Sequence, residues 1–223
     1  MKGKLIVFEG SDGSGKETQS KLLYSKLKEE GKRVKLISFP NYKSNSSALV
    51  KMYLAGNFGN NPDDINVYAV STFYAVDRFA TYKKDWENFY NTGGIVISDR
   101  YTTSNMIHQA AKLSKKKEKE KYLNWLWNLE FELYRLPVPD IVFFLDVKPE
   151  ISKKLIKNRL NKITEEKKKD IHEKSEKFLM ESYENALYVA KKYNWKTIDC
   201  NSNKSIKSIK EIHNEIYKNL NCI

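Results

Sequence analysis

The 223 residues carry 40% apolar and 13% aromatic side chains, ample for a hydrophobic core, which excludes a disordered chain. No apolar run approaches the ~20 residues of a membrane-spanning helix, and residues 5–8 meet Glu9 too soon for a signal peptide. The formal charge of +12 comes from thirty-five lysines and five arginines, interleaved with Glu as in KKKEKEK at 115–121, and reads as a solvated lysine surface rather than a nucleic-acid stripe.

In chain order, residues 4–9 (KLIVFE) form an apolar run that stops at Gly10, the pattern of a buried parallel strand. Residues Gly15 to Glu30 follow with helical spacing, Leu22, Leu23 and Leu27 on one face and Gly31 as the stop. Residues 33–38 (RVKLIS) make a second strand, completing a βαβ unit. Helical stretches are predicted at 46–56, 63–91, 102–136 with a break near 114, 149–161, 170–193 and 205–220. Further strands are predicted at 94–98, 140–146 and 195–199. The polar segment 157–175 joins two of the helices and reads as a charged flap. Alternating helices and buried strands imply an α/β fold with a parallel sheet covered on both faces, in one domain spanning 1–223.

GSDGSGKET at 10–18 leaves a strand and opens a helix, the context that gives a phosphate-binding loop its meaning. Gly10, Gly13 and Gly15 let the backbone wrap an anion; Ser11, Asp12 and Ser14 complete the turn, and the helix N-terminus adds its positive end. Lys16 would reach the outer phosphates of ATP as a point charge. Where a hydroxyl normally holds Mg²⁺ the chain has Glu17, with Thr18 one step later; a carboxylate can hold that ion directly or through water. The arginines are scarce enough that each of Arg78, Arg100 and Arg159 marks a place where a planar fork is useful. Cys200 and Cys222 have no metal-binding spacing and read as reduced thiols of a cytoplasmic protein.

These motifs, taken in order, resemble the thymidylate kinase family. The loop is similar to the family's GxDxxGKxTQ, Phe39-Pro40 to its FP, Tyr74-Ala-Val-Asp-Arg78 to its FxxxR segment, and Asp99-Arg100-Tyr101 to its DRY signature. The resemblance implies a P-loop NTPase-type three-layer fold with a five-stranded parallel sheet and a charged lid. It also implies Mg²⁺-dependent transfer of the γ-phosphoryl group of ATP to dTMP.

By the same resemblance, Asp12 holds the acceptor sugar, Arg78 grips the acceptor phosphate, and Arg100 neutralises the phosphates between donor and acceptor. Asp99 orients the metal's water or the arginine, Tyr74 stacks on the base, and Phe39 closes the second strand beside the acceptor. Asn105 reads the base, with His108 and Gln109 near the sugar. The loop lacks an internal arginine, so the catalytic cation is expected from the lid, Arg159 ahead of Lys162 and Lys167–Lys169. Family members are usually dimeric, and residues 122–136 could supply that surface or be buried within the monomer. Two other readings stand beside this one: a kinase for another nucleotide or nucleoside, and a non-catalytic nucleotide- or RNA-binding protein.

Overall fold

The computed structural model describes residues 2–156, 175–202 and 205–220. Its centre is a five-stranded parallel sheet of β1 (Lys4–Gly10), β2 (Val34–Ser38), β3 (Ile95–Asp99), β4 (Ile141–Asp146) and β5 (Lys196–Asp199), in the order β2-β3-β1-β4-β5. All five strands expected from the apolar runs are present. β1 is buried on both faces: Leu5 and Val7 join one core, Ile6 and Phe8 the other, as a side-chain period of two requires.

The helices are α1 (Lys16–Glu29), α2 (Ala48–Leu54), α3 (Val67–Thr81), α4 (Glu87–Asn91), α5 (Thr102–Ala111), α6 (Lys116–Trp127), α7 (Pro149–Ile156), α8 (Glu176–Lys192) and α9 (Ile209–Leu220). α1 and α9 pack on the Ile6–Phe8 face, while α5, α6 and α8 cover the other. α1 ends in a Schellman turn: Gly31 takes φ 74°, and Lys32 N–H donates to Leu27 O at 3.0 Å. α8 ends in the same way, with Asn194 at φ 53° in the left-handed position.

Three local expectations are corrected. Leu22 is 36% exposed, and the buried stripe of α1 is instead Lys16, Gln19, Ser20, Leu23 and Leu27, because a four-residue spacing keeps one face and Leu22 lies a step around it. Residues 205–206 are extended and pair antiparallel with 201–202 before α9 begins. The long predicted helices at 63–91 and 102–136 contain π-helical turns at Tyr82–Trp86 and Asn128–Leu133. Of segment 122–136, Tyr122, Leu123, Leu126, Phe131 and Leu136 are core residues while Leu133 is exposed, so the segment is divided between core and surface. No helix of the described residues is long and apolar enough to cross a membrane. The flap, with Arg159, Lys162 and Lys167–Lys169, lies outside the described residues.

Candidate active site

The chain leaves β1 into α1 on one face of the sheet and leaves β3 into α5 on the other. The crevice beyond the carboxyl ends of these neighbouring strands is therefore the place where an open α/β sheet binds ligands. Both signature loops open into it.

The first loop is shaped by glycine. Gly10, Gly13 and Gly15 have φ of 149°, 79° and 88°, and a Cβ on Gly10 would lie 2.7 Å from both Leu145 O and Ser14 Oγ. Lys16 is buried, and its ammonium donates to Gly10 O at 2.9 Å and Ser11 O at 2.8 Å, so it lies across the loop from which it would meet phosphate. Burial, then the neighbouring Arg100, lowers the Lys16 pKa to about 8, with Asp12, Asp99 and Glu9 opposing.

The second loop follows β3. Arg100 N–H continues the ladder to Phe8 O at 3.0 Å, and its carbonyl accepts from Ser98 Oγ at 2.5 Å. Held at both ends, Arg100 sits at φ 68°, a strained conformation for a non-glycine residue. Its guanidinium turns into the crevice: Nη2 donates to Asp12 Oδ1 at 2.5 Å, and Nη1 meets Ser104 Oγ at 3.4 Å and His108 Nε2 at 3.2 Å. Burial works against the Arg100 charge, but Asp12, Glu9 and Asp99 outweigh it and raise its pKa. Asp99 is buried beside Lys16, its Oδ1 makes no hydrogen bond among the described residues, and burial raises its pKa.

The loops thus bring Asp12, Lys16, Asp99, Arg100, Ser104 and His108 together. Other expected residues lie elsewhere. Glu17 Oε1 accepts from Lys21 Nζ at 2.7 Å on the exposed side of α1, and Thr18 is exposed as well. Phe39 is a core residue packed on Tyr101 at 5.9 Å, and Gln109 is buried. Tyr74 is partly buried and packs against the cluster of Val50, Tyr53, Leu54 and Val70. Asn105 is buried, its Nδ2 donating to Ser71 O at 3.3 Å.

Arg78 differs most from the free fork that was expected. Its Nε and Nη2 each donate to Glu130 at 2.6 Å within a buried ion pair, and Nη1 lies 3.5 Å from Tyr101 O. The pair takes the Nε edge of the fork and leaves its outer edge, Nη1 and the second N–H of Nη2, for other acceptors.

Four polar groups that organise the neighbourhood of the crevice were not expected. Glu9, fully buried at the end of β1, accepts from Thr103 Oγ1 and Ser104 Oγ at 2.7 Å each; burial raises its pKa, against Arg100 and those two bonds. Ser104 itself also touches Arg100. Glu130 holds Arg78, and Asp77 accepts from Asn41 N–H at 2.8 Å and Ser46 Oγ at 2.6 Å, securing the segment after β2. The signal for Glu9 and Glu130 was a carboxylate at a position whose pattern demands an apolar residue.

Among the described residues no group of three or more His, Cys, Asp or Glu is arranged to hold a metal on its own. The donor chemistry nevertheless fits Mg²⁺ bound mainly by phosphates and water, since Asp99 presents a hard, unbonded oxygen at the loop.

Comparison with known proteins gives a consistent answer. The family model described as "Thymidylate kinase" matches residues 8–216. The chain is 30% identical over 217 residues to the thymidylate kinase of Plasmodium falciparum, covering 97% of this chain and 89% of that protein. It is 32% identical over 225 residues to the thymidylate kinase of Prochlorococcus marinus strain MIT 9301, covering 99% and 96%. The solved thymidylate kinase structures from Candida albicans and Ehrlichia chaffeensis share the fold, with TM-scores of 0.75 and 0.65, each at 22% identity. The alignments cover 99% of this chain in both cases and 92% and 100% of the two solved chains.

Proposed function

The chain belongs to the thymidylate kinase family, and on that premise we propose a role for each group in the crevice. It is an ATP-dependent nucleoside monophosphate kinase that transfers the γ-phosphoryl group of ATP to dTMP, giving dTDP and ADP.

The residue roles rest above all on one observation, the convergence of Lys16, Arg100 and Asp12 at the ends of β1 and β3. The glycine loop and Lys16 cradle the phosphates of ATP. Arg100 stands between donor and acceptor, its fork turning from Asp12 toward phosphate oxygens when substrates bind. Asp12, released from that pair, accepts from the acceptor's sugar hydroxyl. An acceptor phosphate dianion is itself a competent nucleophile, so the transfer is in line, with no covalent intermediate and no general base. Catalysis is then positioning plus charge neutralisation. Mg²⁺, when bound, supplies further neutralisation across the phosphates, and Asp99 is the residue suited to hold it or its water. The pocket for the base has Tyr74 as a wall and Asn105 and His108 on α5. Arg78 supports that pocket through the N–H groups that Glu130 does not take. By resemblance, Arg159 supplies the remaining catalytic cation.

We read the chain as one kinase domain that forms a homodimer in the cytoplasm. For the dimer the support is an exposed apolar patch: Val76 and Phe79 on one face of α3 beside Leu133, which is 66% exposed, with Phe79 touching Tyr134 at 5.2 Å. For the compartment it is Cys200, a free thiol buried in the core and pushed up to about 12 by burial.

The test is ADP release from Mg·ATP with each deoxynucleoside and ribonucleoside monophosphate and with thymidine, in parallel. Fast turnover with dTMP is the expected outcome. A clear preference for another acceptor would overturn the roles given to Asn105 and His108 while leaving the donor loop intact.

A further inference from the structure

We infer that Glu130 is the positioning residue of the acceptor pocket, taking the Nε edge of Arg78 so that the outer edge of its guanidinium, Nη1 and the second N–H of Nη2, is turned to the bound nucleotide. The inference rests on the reading that Arg78 belongs to the acceptor site.

The geometry is specific. Glu130 Oε1 accepts from Arg78 Nη2 at 2.6 Å; its Oε2 accepts from Arg78 Nε and from Thr102 Oγ1, each at 2.6 Å. One carboxylate therefore joins α3, the first residue of α5 and the π turn that follows α6. Ser104, further along α5, meets Arg100 in the crevice, and Tyr101 just before the helix offers its carbonyl to Nη1 at 3.5 Å. That last contact is long, so Nη1 keeps donor capacity for a ligand.

Local sequence explains how the carboxylate arrives there. Leu123, Leu126 and Glu130 fall on one stripe of the helix, and the two leucines are buried in the core. The π turn at Asn128–Leu133 closes on Glu130 with a wide loop, Tyr134 N–H reaching Leu129 O at 2.9 Å. Such turns recur at functional sites. Asp77, the acid next to Arg78 in sequence, takes no part in the pair, being engaged by Asn41 and Ser46.

Energetics favour a functional reason for the pair. The Arg78 and Glu130 side chains are 2% and 0% exposed. Two charges removed from water gain little net stability even when well paired, and apolar replacements of similar size serve a core as well. A buried pair beside a binding crevice is accounted for by what it orients.

The experiment compares Glu130→Gln with Arg78→Lys in steady-state kinetics and calorimetric binding of dTMP. Glu130→Gln is expected to raise KM and Kd for dTMP about 10- to 100-fold, the span of one lost charge-assisted hydrogen bond. The change in kcat should be smaller, and KM for ATP should stay within about twofold on the same scale. An unchanged dTMP KM in folded Glu130→Gln, while Arg78→Lys raises it, would reduce Glu130 to a core residue and overturn the inference. Equal losses toward ATP and dTMP would do the same. If neither variant alters dTMP binding, Arg78 is not in the acceptor site, and the premise falls together with the inference. Should Glu130→Gln fail to fold, Thr102→Val removes one bond and keeps the charge. A rise of about 3- to 10-fold in dTMP KM is then expected, and no rise overturns the proposal.

Discussion

Arg100 and Asp12, 88 positions apart in sequence, meet at 2.5 Å and tie the loop after β1 to the loop after β3. Asp12 raises the pKa of Arg100, and the pair is aimed at the space where phosphates would meet. Arg100→Ala is expected to lower kcat for phosphoryl transfer by about 10²- to 10³-fold, the usual loss for one preorganised charge-stabilising donor. Asp12→Asn should act mainly on the KM for dTMP. Single-turnover measurements on both variants separate the two effects.

Lys16 carries a pH signature. Its pKa is lowered to about 8, while an unfolded lysine keeps the ordinary value near 10.5. Between those values the unfolded chain binds more protons than the folded one, so the folded state gains stability as pH rises through that window, and the burial penalty is full below it. ATP favours the ammonium form, so its binding should weaken as pH rises above about 8, with proton uptake. Lys16→Met should flatten both trends, as read from thermal unfolding and ATP titrations at several pH values.

Glu17 is committed to Lys21 at 2.7 Å, and both side chains are more than half exposed. Glu17→Ser is expected to leave the Mg²⁺ midpoint of the reaction unchanged and to shift stability by less than about 0.5 kcal/mol. A Mg²⁺ titration at fixed ATP decides the matter, and a displaced midpoint would return Glu17 to the metal site.

Gly10→Ala should be costly twice over. The backbone φ of 149° disfavours any side chain, and the new Cβ would meet Leu145 O and Ser14 Oγ at 2.7 Å. A loss of about 1–3 kcal/mol in stability and a weakened affinity for ATP are expected. Denaturant unfolding and nucleotide titration measure them independently.

Leu133, with Val76 and Phe79 nearby, gives the proposed dimer its test. Leu133→Glu should shift the protein toward monomer in sedimentation while sparing the core, because the side chain is 66% exposed.

The sheet was legible in the sequence because parallel strands buried on both faces are continuous apolar runs, as in Leu5–Phe8 and Val142–Leu145. The phosphate loop was legible because glycine, lysine and a helix start coincide at 10–18. The partnerships of the polar groups were not. Periodicity could place Glu130 on a buried stripe but could not reveal that Arg78, fifty-two positions away, would be there to meet it. Likewise Glu9 ended a strand without showing that the hydroxyls of Thr103 and Ser104 would bond to it. Asn105 and Gln109 share a polar helix face that tertiary packing buried, while Glu17 turned outward to its i+4 lysine. Short-range pattern was also silent on the pairing of 201–202 with 205–206, since two residues are too few to show alternation.

All four tryptophans lie in the aromatic core on the α5–α6–α8 side of the sheet: Trp86 buried, with Trp125, Trp127 and Trp195 packed against it. The α1–α9 side has none. Intrinsic fluorescence is therefore a one-sided gauge, sensitive to loosening of the layer that carries Arg78 and Glu130 and blind to events confined to the layer behind the phosphate loop. A tryptophan placed at the exposed Leu22 would give the opposite layer its own optical channel, so that melting of the two faces could be followed separately in one molecule.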